Sequence, residues 1–462
     1  MTDVHGWRRL LAALVLGIVA PASVATGQES PQASPLLHPI FQDRAVLQRG
    51  RPIEIWGWAA RKERIQVFFA GVREVVRAES SGRWSATLPA MAEGGPYTLE
   101  VHADNGETAT ANEVLLGDVF LCSGQSNMAL QVHRTLNSRA EIANSATETI
   151  RLLSVPMAIA LEPLDRFLHP IEWQVAMPET VGEWSATCFY FARELQEVQG
   201  VPIGIVVAAW GGSNIRPWMS QAALRSLGDY DKELDILKLY IADPPTALEQ
   251  WGKLWEAWWW SRTSDTGAAN PWSPQPIEAS AWSTAPTGLG PWEEWGVDGL
   301  ADFDGMVWYR TTVRLSEDQA VQSAVLSLGK IDEIDQTWVN GRPVGTTSDA
   351  GSDRLYPLSP KLLRSGENLI VVNVTDTWEK GGLYGDSASR SLHLSRGERI
   401  PLHETWLYQI APAEIGSPPR APWTSNGGMT TMFNAKIAHL GSYGFRGAVW
   451  YQGESKTGEA DR

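Results

Sequence analysis

The chain has 462 residues, of which 43% are hydrophobic and 20% are charged, so it is long enough to bury several cores. At roughly 150 residues per domain, about three domains are expected. A formal net charge of -15, with no basic run, argues against nucleic acid and anionic membranes as partners. With only Cys122 and Cys188 present, a disulfide framework is excluded, and a single bridge between them stays open.

The N-terminus has the pattern of an export signal. Arg8 and Arg9 precede the apolar stretch Leu10 to Ala20, and small residues follow up to Ala25. This order predicts a signal peptide over residues 1–27 and a periplasmic or secreted protein. The alternative is an uncleaved anchor. Because no later run reaches about 18 apolar residues, we expect no membrane association after signal cleavage.

Residues 36–112 alternate apolar and polar side chains with a period of two, as in Ile53 and Ile55 or in Trp84 and Ala86. Turns that contain glycine separate these short runs. Short strands at regular intervals are typical of a small β-sandwich, so we expect an immunoglobulin-like β domain here.

From residue 113 the pattern changes to alternating strands and helices. The predicted strands are Val114 to Ser123, Ile150 to Val155 and Ile203 to Ala209, and the predicted helices are Met128 to Arg139 and Ser185 to Gln199. This order indicates a parallel sheet in an α/β domain, whose first part we place at residues 113–275. In such sheets the reacting groups gather beyond the carboxyl ends of the strands.

Within that part, residues 247–260 place four tryptophans on one face of a predicted helix: Trp251, Trp255, Trp258 and Trp259. Packing in a core or between domains is the favoured interpretation. A platform on which sugar rings stack is the alternative, because flat aromatic surfaces suit sugar rings.

The period of two returns in residues 276–412, for example in Val307 to Leu315 and Leu369 to Val374. We interpret this region as a second β-sandwich. The strand and helix pattern resumes in residues 413–462, which include the predicted strand Phe445 to Tyr451. The sequence therefore predicts one α/β domain interrupted by an inserted β domain, an arrangement that compact domains tolerate because their termini lie close together.

The string GQSNM, residues 124–128, lies where a predicted strand ends and a predicted helix begins. It nominates Ser126 as a nucleophile, which needs a sharp turn to expose it, a base, and donors for the developing oxyanion. The alternative is that Ser126 only caps the helix. Two further blocks follow other predicted strands: WGGSNIRPWMS at 210–220 and WYQGES at 450–455.

Together the three blocks resemble the sialate O-acetylesterase family of SGNH-type serine esterases. The resemblance extends to LQRGRPIEIWGWA in the first β domain and to IDEIDQTWVNGRPVG in the inserted one. It implies an SGNH-hydrolase-like parallel sheet domain, preceded by an immunoglobulin-like β domain and interrupted by a galactose-binding-like β-sandwich. The implied reaction is hydrolysis of an acetyl ester on a carbohydrate hydroxyl through a serine acyl-enzyme, with no metal and no cofactor.

The resemblance also implies roles for individual residues. Ser126 would attack the acetyl carbonyl. The oxyanion would be held by the backbone N–H of Ser126, by that of Gly211 or Gly212, and by the side chain of Gln452.

Four further residues are expected to bind substrate or support the site. Asn127 would orient the turn, and Glu454 would hydrogen-bond the site backbone or a sugar hydroxyl, with a purely structural carboxylate as the alternative. Arg216 and Trp218 would line the sugar pocket, with packing or helix capping as the alternative.

The sequence departs from the family pattern at two lysines and at the base. Lys456 replaces the Asn that commonly follows GES, and Lys436 stands where an apolar residue is usual. The family supplies its base from a later Asp-x-x-His motif, but no Asp lies three residues before any of the eight histidines. His133 and His439 are interpreted as structural. We therefore expect a chain truncated at its C-terminus, nearly inactive as it stands.

The sequence leaves the sugar open. An O-acetylated sialic acid and an acetylated plant glycan such as xylan are both compatible with it. A non-catalytic carbohydrate-binding protein with a decayed hydrolase domain is the alternative from another class, and a generic lipase fits the polar, tryptophan-rich composition less well.

Overall fold

The computed structural model describes residues 35–263, 270–275 and 281–454. The predicted signal peptide, residues 1–27, lies outside the described residues, as does Lys456. Within those described ranges, every helix is too short or too polar to span a membrane.

The N-terminal region consists of short strands around a shared hydrophobic core. Its strands are β1 (Val46–Gln48), β2 (Ile53–Trp58), β3 (Arg64–Phe69), β4 (Val72–Arg77), β5 (Arg83–Leu88), β6 (Gly94–Ala103) and β7 (Thr108–Gly124). Strands β4, β3, β6 and β7 form one antiparallel layer, while β2 and β5 pair separately. Alternation along β3 points Ile65 and Val67 into the core, where the other layer contributes Trp56 and Trp84.

Strand β7 is shared by two parts of the molecule. Its first half pairs antiparallel with β6, and its last residues pair in parallel with strands of the α/β region. The predicted domain boundary between residues 112 and 113 falls inside this strand. The two regions are therefore joined by continuous backbone hydrogen bonding, without a linker at that point.

The α/β region continues with short helices and three more strands. These elements are α1 (Ser126–Ala129), α2 (Ser138–Ala143), β8 (Thr147–Ser154), β9 (Trp173–Ala176), α3 (Pro178–Val181), α4 (Ala186–Gln199), β10 (Ile203–Ala209), α5 (Gln221–Leu227), α6 (Asp231–Ala242) and α7 (Pro244–Thr263). Helix α4 is capped at its start by Ser185, whose hydroxyl accepts from the N–H of Cys188. It ends at Gly200, which has a φ of +67°.

The predicted helix from Met128 to Arg139 is wrong. Helix α1 ends at Ala129, a short 3-10 turn covers Val132–Arg134, and α2 begins only at Ser138. The reason is tertiary: the N–H groups of Val132 and His133 donate to the carbonyls of Trp184 and Gly182. Backbone groups that a helix would pair internally are used here to hold two distant segments together.

The following region is a β-sandwich, as predicted. Its elements are β11 (Ser283–Thr284), β12 (Gly290–Pro291), β13 (Met306–Leu315), α8 (Glu317–Ala320), β14 (Ala324–Asp332), β15 (Ile334–Val339), β16 (Arg342–Thr347), β17 (Asp353–Leu358), β18 (Gly366–Thr375), β19 (Gly382–Leu383), β20 (Arg390–Leu394), β21 (Arg399–Pro401) and β22 (Leu407–Ile410). One sheet has the order β11-β22-β13-β18-β15-β16, and the other has β12-β19-β14-β20-β21 with β17 beside β14.

Three tryptophans of α7 are core residues. Trp251, Trp255 and Trp259 are buried in one cluster with Trp308 and Trp338 of the sandwich. The close approach of α7 to β16 is visible at Gly252, where a Cβ atom would lie 2.1 Å from Cβ of Pro343. The prediction of packing, rather than a sugar-stacking platform, is therefore confirmed for these three side chains.

The last strand, β23 (Gly447–Tyr451), returns to the α/β region after an irregular helical segment that includes Phe433–Ile437. It pairs in parallel with β7, which gives the order β23-β7-β10-β8-β9 with β9 antiparallel. The predicted α/β class, with a parallel sheet and additional β-sandwich regions, is confirmed. Chain segments from residue 124 and residue 451 thus meet at the same sheet edge.

Candidate active site

The turn that carries Ser126 begins where β7 and β23 come too close for a side chain. Gly124 has a φ of +144°, and a Cβ atom on it would lie 2.0 Å from the carbonyl oxygen of Tyr451. The next N–H, that of Gln125, donates to the same oxygen at 2.9 Å. Ser126 then opens helix α1 with an exposed side chain. The backbone of both neighbouring strands therefore fixes where Ser126 projects.

The second block lies directly beside this turn. The N–H of Trp210 donates to the carbonyl of Gly124 at 3.0 Å, so the end of β10 is tied to the end of β7. Gly211 follows, and a Cβ atom built on it would lie 3.6 Å from Cβ of Ser126. Gly211 and Gly212 are exposed, and Gly212 has a φ of +70°. The structure thus places Gly211 beside Ser126, with room for little more than a methyl group between them.

Ser213 is the buried link between these glycines and the third block. Its hydroxyl donates to the Trp210 carbonyl at 2.8 Å and accepts from the indole N–H of Trp218 at 2.9 Å. Its carbonyl accepts from Nε2 of Gln452 at 3.4 Å. Gln452 therefore lies in the same cluster as the glycine turn. Sequence reasoning missed Ser213 and Trp210, although both belong to the WGGSN block that it singled out.

Asn127 and Glu454 contact each other across the site. The Asn127 Nδ2 group donates to Oε1 of Glu454, and the Asn127 carbonyl accepts from the hydroxyl of Thr187 at 3.0 Å. The N–H of Gly453 donates to the side chain of Gln125 at 3.5 Å. The first and third blocks are thus joined by side-chain hydrogen bonds as well as by strand pairing.

Arg216 and Trp218 lie on a short 3-10 helix behind the glycine turn. Trp218 is only 6% exposed and packs edge-on against Trp450 at 6.1 Å between ring centroids. The Arg216 guanidinium lies over the ring of Tyr230 at 5.9 Å, and its Nε atom is buried without a partner. Trp218 therefore supports the glycine turn from the protein interior, through its hydrogen bond to Ser213.

The two histidines considered as bases lie in different surroundings. His133 is exposed, and its Nδ1 atom contacts the carbonyl of Gly182 at 3.0 Å. His439 is buried against Phe167, with both ring nitrogens unpartnered. Burial lowers the pKa of His439 to about 4, helped by the charge of Lys436. In the part of the chain that the structure describes, no histidine hydrogen-bonds Ser126.

Among the described residues, Lys436 is the one fully buried cation beside the glycine turn. Its Nζ atom donates to the carbonyls of Ala209 at 3.1 Å and Val155 at 3.2 Å. These carbonyls lie at the ends of β10 and β8. Burial lowers the pKa of the Lys436 ammonium to about 8. Its one signal in the sequence is that a lysine stands in an otherwise apolar segment.

A disulfide joins the strand that precedes Ser126 to helix α4. Cys122 of β7 is bonded to Cys188 of α4, and both are fully buried. Met128, two residues after Ser126, packs on the same helix, where its carbonyl accepts from the hydroxyl of Ser185 at 2.6 Å. The pairing that the sequence left open is thus formed, and it fixes α4 to the strand that ends at the Ser126 turn.

The chain is similar to known carbohydrate esterases. Residues 116–247 match the family described as a carbohydrate esterase, sialic acid-specific acetylesterase. The resemblance to sialate O-acetylesterases is confirmed. The matched stretch contains the first two site blocks, from β7 through the glycine turn.

Individual sialate O-acetylesterases are similar over less than half of the chain. Those of Pongo abelii and Homo sapiens are each 30% identical over 231 residues, covering 46% of this chain and 44% of theirs. A crystal structure of a carbohydrate acetylesterase from Xanthomonas citri shares 41% identity, covering 42% of this chain and 44% of that one, with a TM-score of 0.40. The chain spans less than half the length of these curated relatives.

Proposed function

We propose that this chain carries the acylation site of a carbohydrate O-acetylesterase, a carboxylic ester hydrolase. The single observation that carries the proposal is the placement of Gly211 beside Ser126 at the ends of two neighbouring parallel strands. An exposed serine beside a glycine turn has the layout of a nucleophile next to an oxyanion hole. The match of residues 116–247 to a carbohydrate esterase family supports the same reaction class.

In the proposed reaction the Ser126 oxygen attacks the acetyl carbonyl carbon, and its proton passes to a base. The tetrahedral oxyanion is held by the N–H groups of Ser126 and of Gly211 or Gly212, with Gln452 nearby. Each such donor typically contributes about 3 kcal/mol to transition-state stabilisation. Collapse breaks the bond to the sugar oxygen, which leaves protonated, and water then hydrolyses the acetyl-serine to acetate.

We propose that the base and its orienting acid come from outside the described residues. Ser126 has no histidine partner within them, and the sheet edge beside it is uncovered: Trp450 and Tyr451 of β23 are each 46% exposed. Strands of parallel sheets are normally buried on both faces. A further segment packing on β23 would both cover these rings and approach the nucleophile turn.

The domain arrangement and the location in the cell are part of the proposal. We place an inserted β domain between the two portions of an SGNH-type hydrolase domain, because β23 pairs with β7 only after the sandwich. A signal peptide over residues 1–27 would deliver the protein to the periplasm or the exterior. The disulfide between Cys122 and Cys188 suits such an oxidising compartment.

The nucleophile is tested by treating the chain with a fluorophosphonate and locating the adduct by peptide mass spectrometry. With imidazole added as the base, we expect modification at Ser126 and none in Ser126→Ala. Because the sequence contains no Asp-x-x-His motif, we expect acetate release slower by several powers of ten than in a complete serine hydrolase. Added imidazole should accelerate release by the native chain and leave Ser126→Ala unchanged.

Several outcomes would change the proposal. Robust acetate release without imidazole, abolished in Ser126→Ala, would mean that His133 or His439 acts as the base. An unmodified Ser126 under all conditions would favour a non-catalytic carbohydrate-binding protein. The sugar is resolved by comparing acetate release from acetylated sialic acid with release from acetylated xylan, each with imidazole present.

A further inference from the structure

Lys436 combines features that packing alone does not require. Its side chain is fully buried, and its ammonium lies 5.7 Å and 6.0 Å from the ring centroids of Trp210 and Trp218. In the described part of the chain no carboxylate forms an ion pair with it, and its hydrogen bonds go to two backbone carbonyls. A buried ammonium without a counter-ion is costly, whereas methionine would fill the same space at no electrostatic cost.

The hydrogen bonds of Lys436 lead directly to the nucleophile turn. The Ala209 carbonyl that accepts from Nζ belongs to the peptide whose N–H, on Trp210, donates to the carbonyl of Gly124. One peptide plane is therefore held on one side by the ammonium and on the other by the turn that presents Ser126. A charged donor on the carbonyl polarises the peptide and strengthens the bond made by its N–H.

The same peptide lies one residue before Gly211 in the chain. A small rotation of the Ala209–Trp210 plane would move the glycine that lies beside Ser126. The second bond of Lys436, to the Val155 carbonyl at the end of β8, anchors the ammonium to a neighbouring strand. Lys436 thus joins the carboxyl ends of two parallel strands, just behind the place where the oxyanion is expected to form.

We propose that Lys436 is a positioning residue for acyl transfer, which holds the Ala209 to Gly211 turn in register with Ser126. This inference rests on the proposed esterase function for its chemical consequence. The positioning itself concerns the backbone, so it can be measured without an assay of esterase activity.

The first measurement is amide hydrogen exchange, by mass spectrometry, of peptides that cover residues 207–214. We expect Lys436→Met to raise exchange there by about tenfold or more, since the N–H of Trp210 loses its fixed geometry. Asn434→Ala is the matched control. Asn434 lies on the same helical segment and is equally buried, but its side chain donates to Ala160 and Thr430 instead.

The second measurement is the saturation kinetics of Ser126 labelling by the fluorophosphonate. Lys436→Met should lower the maximal labelling rate by about tenfold or more and leave the half-saturating concentration unchanged, because Lys436 does not contact the reagent. Asn434→Ala should change neither value beyond about twofold. Lys436→Arg, which keeps the charge, should recover part of the rate.

The outcomes separate the two proposals. Unchanged exchange at residues 207–214 in a folded Lys436→Met protein would refute the positioning role. Equal loosening in Asn434→Ala would reduce Lys436 to a general packing residue and also refute it. If Ser126 is never labelled, the esterase function fails, while the exchange result still decides whether Lys436 holds the turn.

Discussion

At the scale of single residues, the site depends on positions that leave no room for a side chain. Gly124 is the clearest case, because its φ of +144° and the 2.0 Å approach to the Tyr451 carbonyl act together. Gly106 offers a comparison, since its φ of +91° is also unfavourable for other residues but no atom lies within 4 Å of its would-be Cβ. Backbone strain and steric clash can therefore be separated experimentally.

We expect Gly106→Ala to cost about 1–3 kcal/mol of unfolding free energy, from backbone strain alone. Gly124→Ala should cost at least about 2 kcal/mol more, because β7 and β23 must also move apart. Urea unfolding measures both values, and fluorophosphonate labelling should be lost only in Gly124→Ala. Equal costs for the two variants would contradict the close approach of the two strands.

Because Lys436 is buried, it makes the free energy of unfolding depend on pH, and the direction of its pKa shift sets the sign of that dependence. Its pKa falls from the ordinary 10.5 to about 8 in the folded protein, so the unfolded chain binds more protons between these two values. Stability therefore rises with pH across that window, by up to about 1.4 kcal/mol per pH unit. Unfolding of the native chain compared with Lys436→Met, from pH 7.5 to 10.5, isolates this contribution. A constant difference over that range would show that the ammonium is not buried as described.

At the scale of elements, the sequence predicted best where local pattern and tertiary structure agree. Strand β10 coincides with the predicted run Ile203 to Ala209, since a buried parallel strand reads as a continuous apolar stretch. Helix α4 is flanked by Ser185 and Gly200, which are ordinary capping residues. For these elements the hydrophobic period and the caps were sufficient.

The failures have a common physical cause. The segment after Met128 carries a helical pattern, yet its N–H groups bond to carbonyls some 50 residues away, at Gly182 and Trp184. Likewise, nothing local indicates which carbonyls accept from Lys436 or that the Tyr451 carbonyl meets Gln125. Sequence patterns report local preference, and these contacts are decided by which distant segments become neighbours.

Helix α7 packs on the sandwich largely through tryptophan side chains. Trp255 contacts the rings of Trp272, Trp308 and Trp338 at centroid distances between 5.2 and 6.1 Å. Trp260, on the same helix, is 39% exposed and has one ring neighbour. Replacing each of these two tryptophans in turn therefore measures how much burial in the tryptophan cluster contributes to the free energy of unfolding.

Trp255→Ala is expected to cost about 3–5 kcal/mol, because it opens a large cavity between the helix and the sandwich. Trp260→Ala should stay within about 1 kcal/mol of the native protein. Urea unfolding followed by circular dichroism checks both. A cost below about 1 kcal/mol for Trp255→Ala would mean that α7 does not depend on the sandwich.

At the scale of the whole molecule, three chain regions meet around buried histidines. His38, which precedes the first strand, packs on Trp56 and on Phe167 of the α/β region, and Phe167 contacts His439 of the last helical segment. Nearby, the indole of Trp173 donates to the carbonyl of Ile40. The N-terminal β region is therefore fixed to the α/β region by packing as well as by the continuous strand β7.

This junction should weaken in acid. Burial lowers the pKa of His38 to about 3 and that of His439 to about 4, both below the ordinary 6.5, so the unfolded chain takes up protons first as the pH falls. Stability from these groups is present above pH 6.5 and is lost on the way down to about pH 4. His439 alone accounts for about 3 kcal/mol over that range.

His439→Leu should therefore be less sensitive to acid than the native chain, by about 3 kcal/mol between pH 6.5 and 4, because a neutral apolar side chain replaces a buried base. Guanidinium unfolding at a series of pH values measures the difference, in which the titration of the carboxylates cancels. His169→Leu, at an exposed position, is the control and should follow the native curve. Parallel curves for the native chain and His439→Leu would show that His439 is protonated at no cost in the folded state, and that the junction is open to water.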